Sequence, residues 1–84
     1  MKVKVLKFGG TSVGSPEAIK RSASIISDWS KKFKVIAVLS AMSGETDRLI
    51  NLAKTFSKHP NSMDYDNAIS TGENVSCSLM SIYL

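Results

Sequence analysis

Lys7-Phe8-Gly9-Gly10-Thr11-Ser12 closes a short apolar, β-branched run and stands just ahead of a good helix start. It reads as a strand-to-helix turn. Adjacent glycines let the backbone take positive φ without steric cost and let a ligand approach closely. Amides in such a turn, with a helix N-terminus behind them, make a seat for phosphate oxygens. Lys7 adds a mobile point charge, and Thr11 and Ser12 add hydroxyls that can bond phosphate oxygens. The order G-x-x-x-x-G-K-[ST] of a Walker A loop is missing, and so is G-x-G-x-x-G. The competing reading is a turn whose glycines serve geometry alone.

Upstream of this turn, Val3 to Phe8 reads as a strand. Val3 and Val5 share one face; Lys2, Lys4, Leu6 and Phe8 share the other. Lys4 suits a strand end or a snorkelling position. Downstream, Ser15 is the expected N-cap, Pro16 occupies the first helical position, and Glu17 puts an acid in the first turn. Ile19, Ala23, Ile26 and Trp29 or Ser30 recur at helical spacing, and the helix is predicted to end near Trp29 to Lys31. Val35 to Leu39 is a near-continuous apolar run, the pattern of a strand buried on both faces of a parallel sheet. Strand, helix and strand in this order predict a right-handed βαβ unit. Both strand C-termini then lie at one sheet edge, so Lys7–Ser12 and Ser40–Thr46 become neighbours where open α/β sheets bind ligands.

In the second loop, Ser40 to Asp47, Thr46 is the expected N-cap, with Asp47 in the first turn. Leu49, Leu52, Ala53 and Phe56 supply the apolar stripe of a second helix, and Ser57 to Met63 reads as a surface loop. A third helical stretch is predicted from Met63 or Asp64, broken at Ser70-Thr71-Gly72-Glu73. A final helix follows with Val75, Leu79 and Ile82 on one side. Ser70-x-x-Glu73 matches a capping box. The alternative sets Glu73 beside a small ligand, after a glycine that permits close approach. Two strands cannot cover the apolar faces of four helical segments. The expectation is that the chain is the start of something larger.

The 84 residues allow one small domain at most. The net charge of +4 suits an anionic ligand. The lysines are scattered or sit in the short run Lys31, Lys32, Lys34, with no basic stripe interleaved with aromatics, so no nucleic-acid partner is expected. Cys77 is the single cysteine, which leaves no internal disulfide and no CxxC metal site and fits a reducing cytoplasm. The longest apolar run, Val35 to Leu39, is far short of a membrane span. No signal-peptide h-region is present at the N-terminus. His59, beside Pro60 in a polar loop, reads as solvent-exposed.

Three segments together resemble the N-terminal part of aspartate kinases, members of the amino acid kinase family. They are Lys7 to Val13, Leu39 to Leu49 and Ser70 to Ser76. The resemblance covers essentially the whole chain. Related kinases of glutamate, acetylglutamate and uridylate share the general fold, but K-F-G-G-T-S followed by T-D-x-L and a G-E is closest to the aspartate enzymes. It implies a partial αβα sandwich: a βαβ start of a mainly parallel sheet, followed by helices, with residues 1–84 as the N-terminal fragment of a kinase domain. It also implies transfer of the ATP γ-phosphoryl group to the β-carboxylate of L-aspartate, with Mg2+, in a cytoplasmic enzyme of lysine, threonine, methionine and diaminopimelate synthesis. By that resemblance Lys7, Phe8, Gly9, Gly10, Thr11 and Ser12 form the ATP-binding turn. Lys7 and Ser40 serve the transfer; Ser40, Thr46 and Glu73 hold the amino acid, Glu73 through its α-ammonium. Family members carry a further half domain with the adenine site, an acidic residue linked to metal, and a second basic contact to the substrate. The expectation is therefore turnover only with a second chain that completes the domain. The alternative is a non-catalytic remnant, or a phosphate- or protein-binding module.

Overall fold

β1 (Val3–Phe8) and β2 (Lys34–Leu39) pair in parallel, with Val3 opposite Lys34 and Phe8 opposite Leu39. The computed structural model describes residues 1–84. Between the strands run a 3-10 turn (Gly10–Val13) and α1 (Pro16–Ser30); after them come α2 (Glu45–Phe56) and α3 (Ser62–Tyr83). The α/β class and the parallel βαβ start are as the sequence implied.

α1 begins where its sequence says it should. The Ser15 side chain accepts from the Ala18 amide at 3.1 Å, and Pro16 follows at the first helical position. Its buried face is Ala18, Ile19, Ser22, Ala23 and Ile26. That face packs on one side of the sheet, where Leu6, Phe8, Val35, Ala37 and Leu39 alternate inward. Val13 and Met80 complete the cluster. Lys4 lies on this same covered side and snorkels: its ammonium sits 4.2 Å from the centre of the Trp29 ring, with Phe33 beside it.

The sequence pattern of β2 implied cover on both faces, and here the structure differs. Helices occupy one face only. On the other, Val3, Val5, Ile36 and Val38 are 57%, 61%, 53% and 45% exposed. The expected αβα sandwich is thus represented by its sheet and one helical layer.

α3 is a second departure. It runs unbroken through Ser70-Thr71-Gly72-Glu73. The Ser70 and Thr71 hydroxyls donate back to the carbonyls of Asn67 and Ala68, at 2.9 and 2.7 Å, and so satisfy themselves without ending the helix. The capping-box reading of Ser70 and Glu73 fails for that reason. The true cap is Asn61, whose Oδ1 accepts from the Asp64 amide at 2.9 Å. The buried face of α3 is Gly72, Ser76 and Met80, while Val75, Leu79 and Ile82 turn outward. Close packing explains the choice: a Cβ on Gly72 would stand 2.9 Å from the Ala41 Cβ, so only glycine lets the helix approach the loop after β2. The glycine permits close approach of protein to protein there. In α2 no residue is buried, and of the predicted stripe Leu49 and Ala53 are half-buried while Leu52 and Phe56 are exposed.

Candidate functional site

The two strand ends place their loops together, as the parallel order requires. The Ser40 amide donates to the Phe8 carbonyl at 3.0 Å, extending the ladder one residue past the strands. The Ser43 amide then donates to the Gly10 carbonyl at 3.1 Å. α3 closes the arrangement from a third direction: the Ser76 hydroxyl donates to the Ser40 carbonyl at 2.7 Å. All three segments singled out by sequence therefore meet at the C-terminal edge of the sheet.

In the first segment, Gly9 is extended (φ −78°, ψ 177°), and neither Gly9 nor Gly10 uses positive φ. The freedom of positive φ that two glycines offer is not used in this turn. The pair is needed for space. A Cβ on Gly10 would stand 3.2 Å from the Ala41 carbonyl oxygen, whereas a Cβ on Gly9 would meet nothing within 4 Å. Gly10 lets the second loop close in, and Gly9 leaves open backbone toward solvent. No side chain caps the 3-10 turn; the Ser12 amide donates to the Gly9 carbonyl at 3.1 Å. Thr11 and Ser12 are exposed, and the Ser22 hydroxyl braces the turn from behind by donating to the Ser12 carbonyl at 2.6 Å. Lys7 is exposed and shares its strand face with Val3 and Val5, opposite Val38. Phe8 is turned into the core, so it anchors the turn and offers a ligand only its backbone.

In the second segment, Thr46 is not the N-cap. Gly44 is, at φ +80°, a left-handed conformation that glycine adopts without the Cβ penalty. α2 therefore starts one residue earlier than Thr46, and Thr46 sits half-buried in its first turn. Beside it Arg48 grips Glu45, with Nε donating at 3.0 Å and Nη2 at 2.6 Å. The hydrogen bonds from Arg48 hold the Glu45 carboxyl below the ordinary carboxylate range, and the same bonds hold Arg48 above its own usual value.

In the third segment, Glu73 is half-buried, and its Oε2 is shut off from solvent with no hydrogen-bond partner. A buried carboxyl oxygen without a hydrogen-bond partner is costly, so this atom asks for one. The adjoining groove of about 400 Å³ lies between α2 and α3, lined by Ile50, Tyr65, Asp66, Ile69, Ser70, Glu73 and Asn74. The groove excludes Lys7, Ser40 and Thr46. The structure brings together the segments that carry these residues, but no hydrogen bond or ion pair links Lys7, Thr46 and Glu73 themselves. Sequence reasoning missed Ser76 and the Gly72–Ala41 contact. A small polar residue at i+4 from a glycine carries no hydrophobic signal; only the register with Met80 could have marked that face.

No group of three or more His, Cys, Asp and Glu side chains is arranged to hold a metal ion. No helix is long and apolar enough to cross a membrane.

The description "Amino acid kinase family" fits residues 2–84. The aspartokinase of Geobacillus stearothermophilus is 47% identical over 85 residues, which cover 100% of this chain and 21% of that protein. Aspartokinase 2 of Bacillus subtilis (strain 168) is 46% identical over 95% of this chain and 20% of its own length. Among solved structures, the aspartate kinase from Synechocystis matches with a TM-score of 0.91 at 40% identity, covering 98% of this chain and 14% of that chain. The chain thus spans about a fifth of the length of the curated relatives it matches. With the family pattern running from residue 2 to residue 84, and a strand–turn–helix–strand start that superposes on a solved aspartate kinase, this chain belongs to the amino acid kinase family.

Proposed function

We propose that residues 1–84 are the amino-terminal part of an aspartate kinase domain and contribute to transfer of the ATP γ-phosphoryl group to the β-carboxylate of L-aspartate. The observation that carries the reading is the convergence of two loops and the middle of α3 at one sheet edge, fixed by the Ser43–Gly10 and Ser76–Ser40 hydrogen bonds. On this reading the open backbone at Gly9, the uncapped turn beside Gly10 and the Lys7 ammonium receive the phosphates of ATP, which supplies the phosphoryl group. Thr11 and Ser12 stand at the same rim. Ser40 lies nearest the transferring group. Thr46 and Glu73 hold the amino acid, and the lone Oε2 of Glu73 takes a proton donor such as its α-ammonium. A carboxylate nucleophile is already ionised at neutral pH and needs no strong base. What it needs is alignment and neutralised charge, and Lys7 with the turn amides supplies part of the second. No three His, Cys, Asp or Glu side chains gather among these residues, and no step is assigned to Mg2+. The product, an acyl phosphate, feeds synthesis of aspartate-derived amino acids and diaminopimelate in the cytoplasm.

Relatives are several times longer, so turnover is expected only where these residues stand with the rest of such a domain. The test mixes the purified chain with the remaining part of a related aspartokinase and follows aspartate-dependent ADP release. Mg-ATP should also raise the melting temperature of the chain alone, and Lys7→Ala should remove that rise. No complemented turnover and no Mg-ATP response in the unsubstituted chain would refute the reading and leave a non-catalytic module.

A further inference from the structure

Ser76 is wholly buried in the middle of α3. Its hydroxyl lies 2.7 Å from the Ser40 carbonyl oxygen and 3.1 Å from the Glu73 carbonyl oxygen of its own helix. One hydroxyl proton makes one strong bond, and the shorter distance assigns it to Ser40. Helical serines and threonines ordinarily return the hydroxyl to a carbonyl of the preceding turn, as Ser70 and Thr71 do. Ser76 instead reaches across to another element, 36 residues away in sequence. Its target is held from the other side as well, since the Ser40 amide donates to Phe8. Glu73 lies one turn earlier on the same helix, and between them and the loop Gly72 sets the contact with Ala41.

We propose that Ser76 is a positioning residue: its hydroxyl ties the loop after β2 to the turn of α3 that carries Glu73, so Ser40 and Glu73 keep a fixed separation. The proposal rests on the reading of Ser40 and Glu73 given above and deepens it. Ser76 touches no ligand. It acts through Ser40, and through Ser43 onward to the glycine turn, because the Ser43 amide bonds Gly10. Loss of the tie frees the loop locally while the α1–sheet cluster stays packed.

The experiment is amide hydrogen exchange by NMR on the full 84-residue chain and on Ser76→Ala. Ser76→Cys is a second variant that keeps the shape of the side chain with a weaker donor. The expected result in Ser76→Ala is a rise of roughly tenfold in exchange at the Ser40 and Ser43 amides, the scale of one lost hydrogen bond, with α1 amides such as Ala23 and Ile26 unchanged. Ser76→Cys should stay folded and show a smaller rise at the same two amides. A uniform rise across α1 and both strands means a merely structural role and overturns the proposal. Unchanged exchange at Ser40 and Ser43 in either variant overturns it too. Each sample is also measured with Mg-ATP and L-aspartate. If neither ligand protects any amide of the unsubstituted chain, the functional reading fails, while the comparison of variants still decides whether Ser76 ties the loop.

Discussion

Replacing Gly72 by alanine sets two effects of known size against each other. Alanine favours a helix interior over glycine by about 0.5–1 kcal/mol, so an exposed site would be stabilised. At position 72 the added Cβ stands 2.9 Å from the Ala41 Cβ, with Glu45 Cγ and Leu49 Cδ1 both at 3.5 Å. Carbon atoms in comfortable contact are ~3.5–4.0 Å apart. A methyl on Ala41 has no rotamer by which to retreat, so α3 must back away by something near 1 Å. Forced overpacking of this kind costs about 1–3 kcal/mol. The net expectation is a loss of roughly 1 kcal/mol after the propensity gain, or a fall of about 4–8 °C in melting temperature for a domain of this size. Urea unfolding followed by circular dichroism measures it. Adding Ala41→Gly to Gly72→Ala removes the colliding methyl. The double variant should then be more stable than the sum of the two single changes by about 1 kcal/mol. A Gly72→Ala chain more stable than the parent, or strict additivity in the double variant, would show that α3 does not meet the loop as described.

Two further outcomes concern charged side chains. Lys4→Gln removes the ammonium above Trp29; stability should fall by about 0.5–1 kcal/mol and Trp29 emission should change, and an unaltered spectrum would contradict the contact. The Glu45 carboxyl is lowered from an ordinary value of 4.5 by Arg48, so its folded value lies below its unfolded one. The stability it contributes is full above the unfolded value and is lost as pH falls through the folded one. An NMR titration should find Glu45 below 4.5 and Arg48→Gln should return it to the ordinary range, with little change in melting temperature at neutral pH because the pair is on the surface.

Much of the first half was legible because its signals are local and agree with one another. Ser15 and Pro16 mark a helix start by chemistry alone, and Ile19, Ala23 and Ile26 mark its buried side by spacing. The parallel pairing of β1 and β2 followed from the intervening helix. α3 was misread because Ser70 and Gly72 are weak helix formers whose preference was outweighed by packing. Its buried side carries Gly72 and Ser76, which hydrophobic periodicity cannot see, so the outward Val75, Leu79 and Ile82 were the stronger pattern on paper. Thr46 is a reasonable cap by residue type, but Gly44 supplies the left-handed turn that starts α2 two residues sooner. At the site, Lys7, Gly9 and Gly10 could be picked out as a group. The role of Ser76 could not, because a bond spanning 36 residues depends on the tertiary arrangement.

The uncovered side of the sheet constrains any protein layer laid against it. Its centre is aliphatic, Val5 beside Ile36, and its opposite corners are the cations Lys7 and Lys34. Lys7 therefore stands on the same ground that a covering helix would occupy. Such a helix must set apolar side chains over Val5 and Ile36 yet stop short of the last strand residues, or it would smother the charge that, on the proposed function, receives an incoming phosphate.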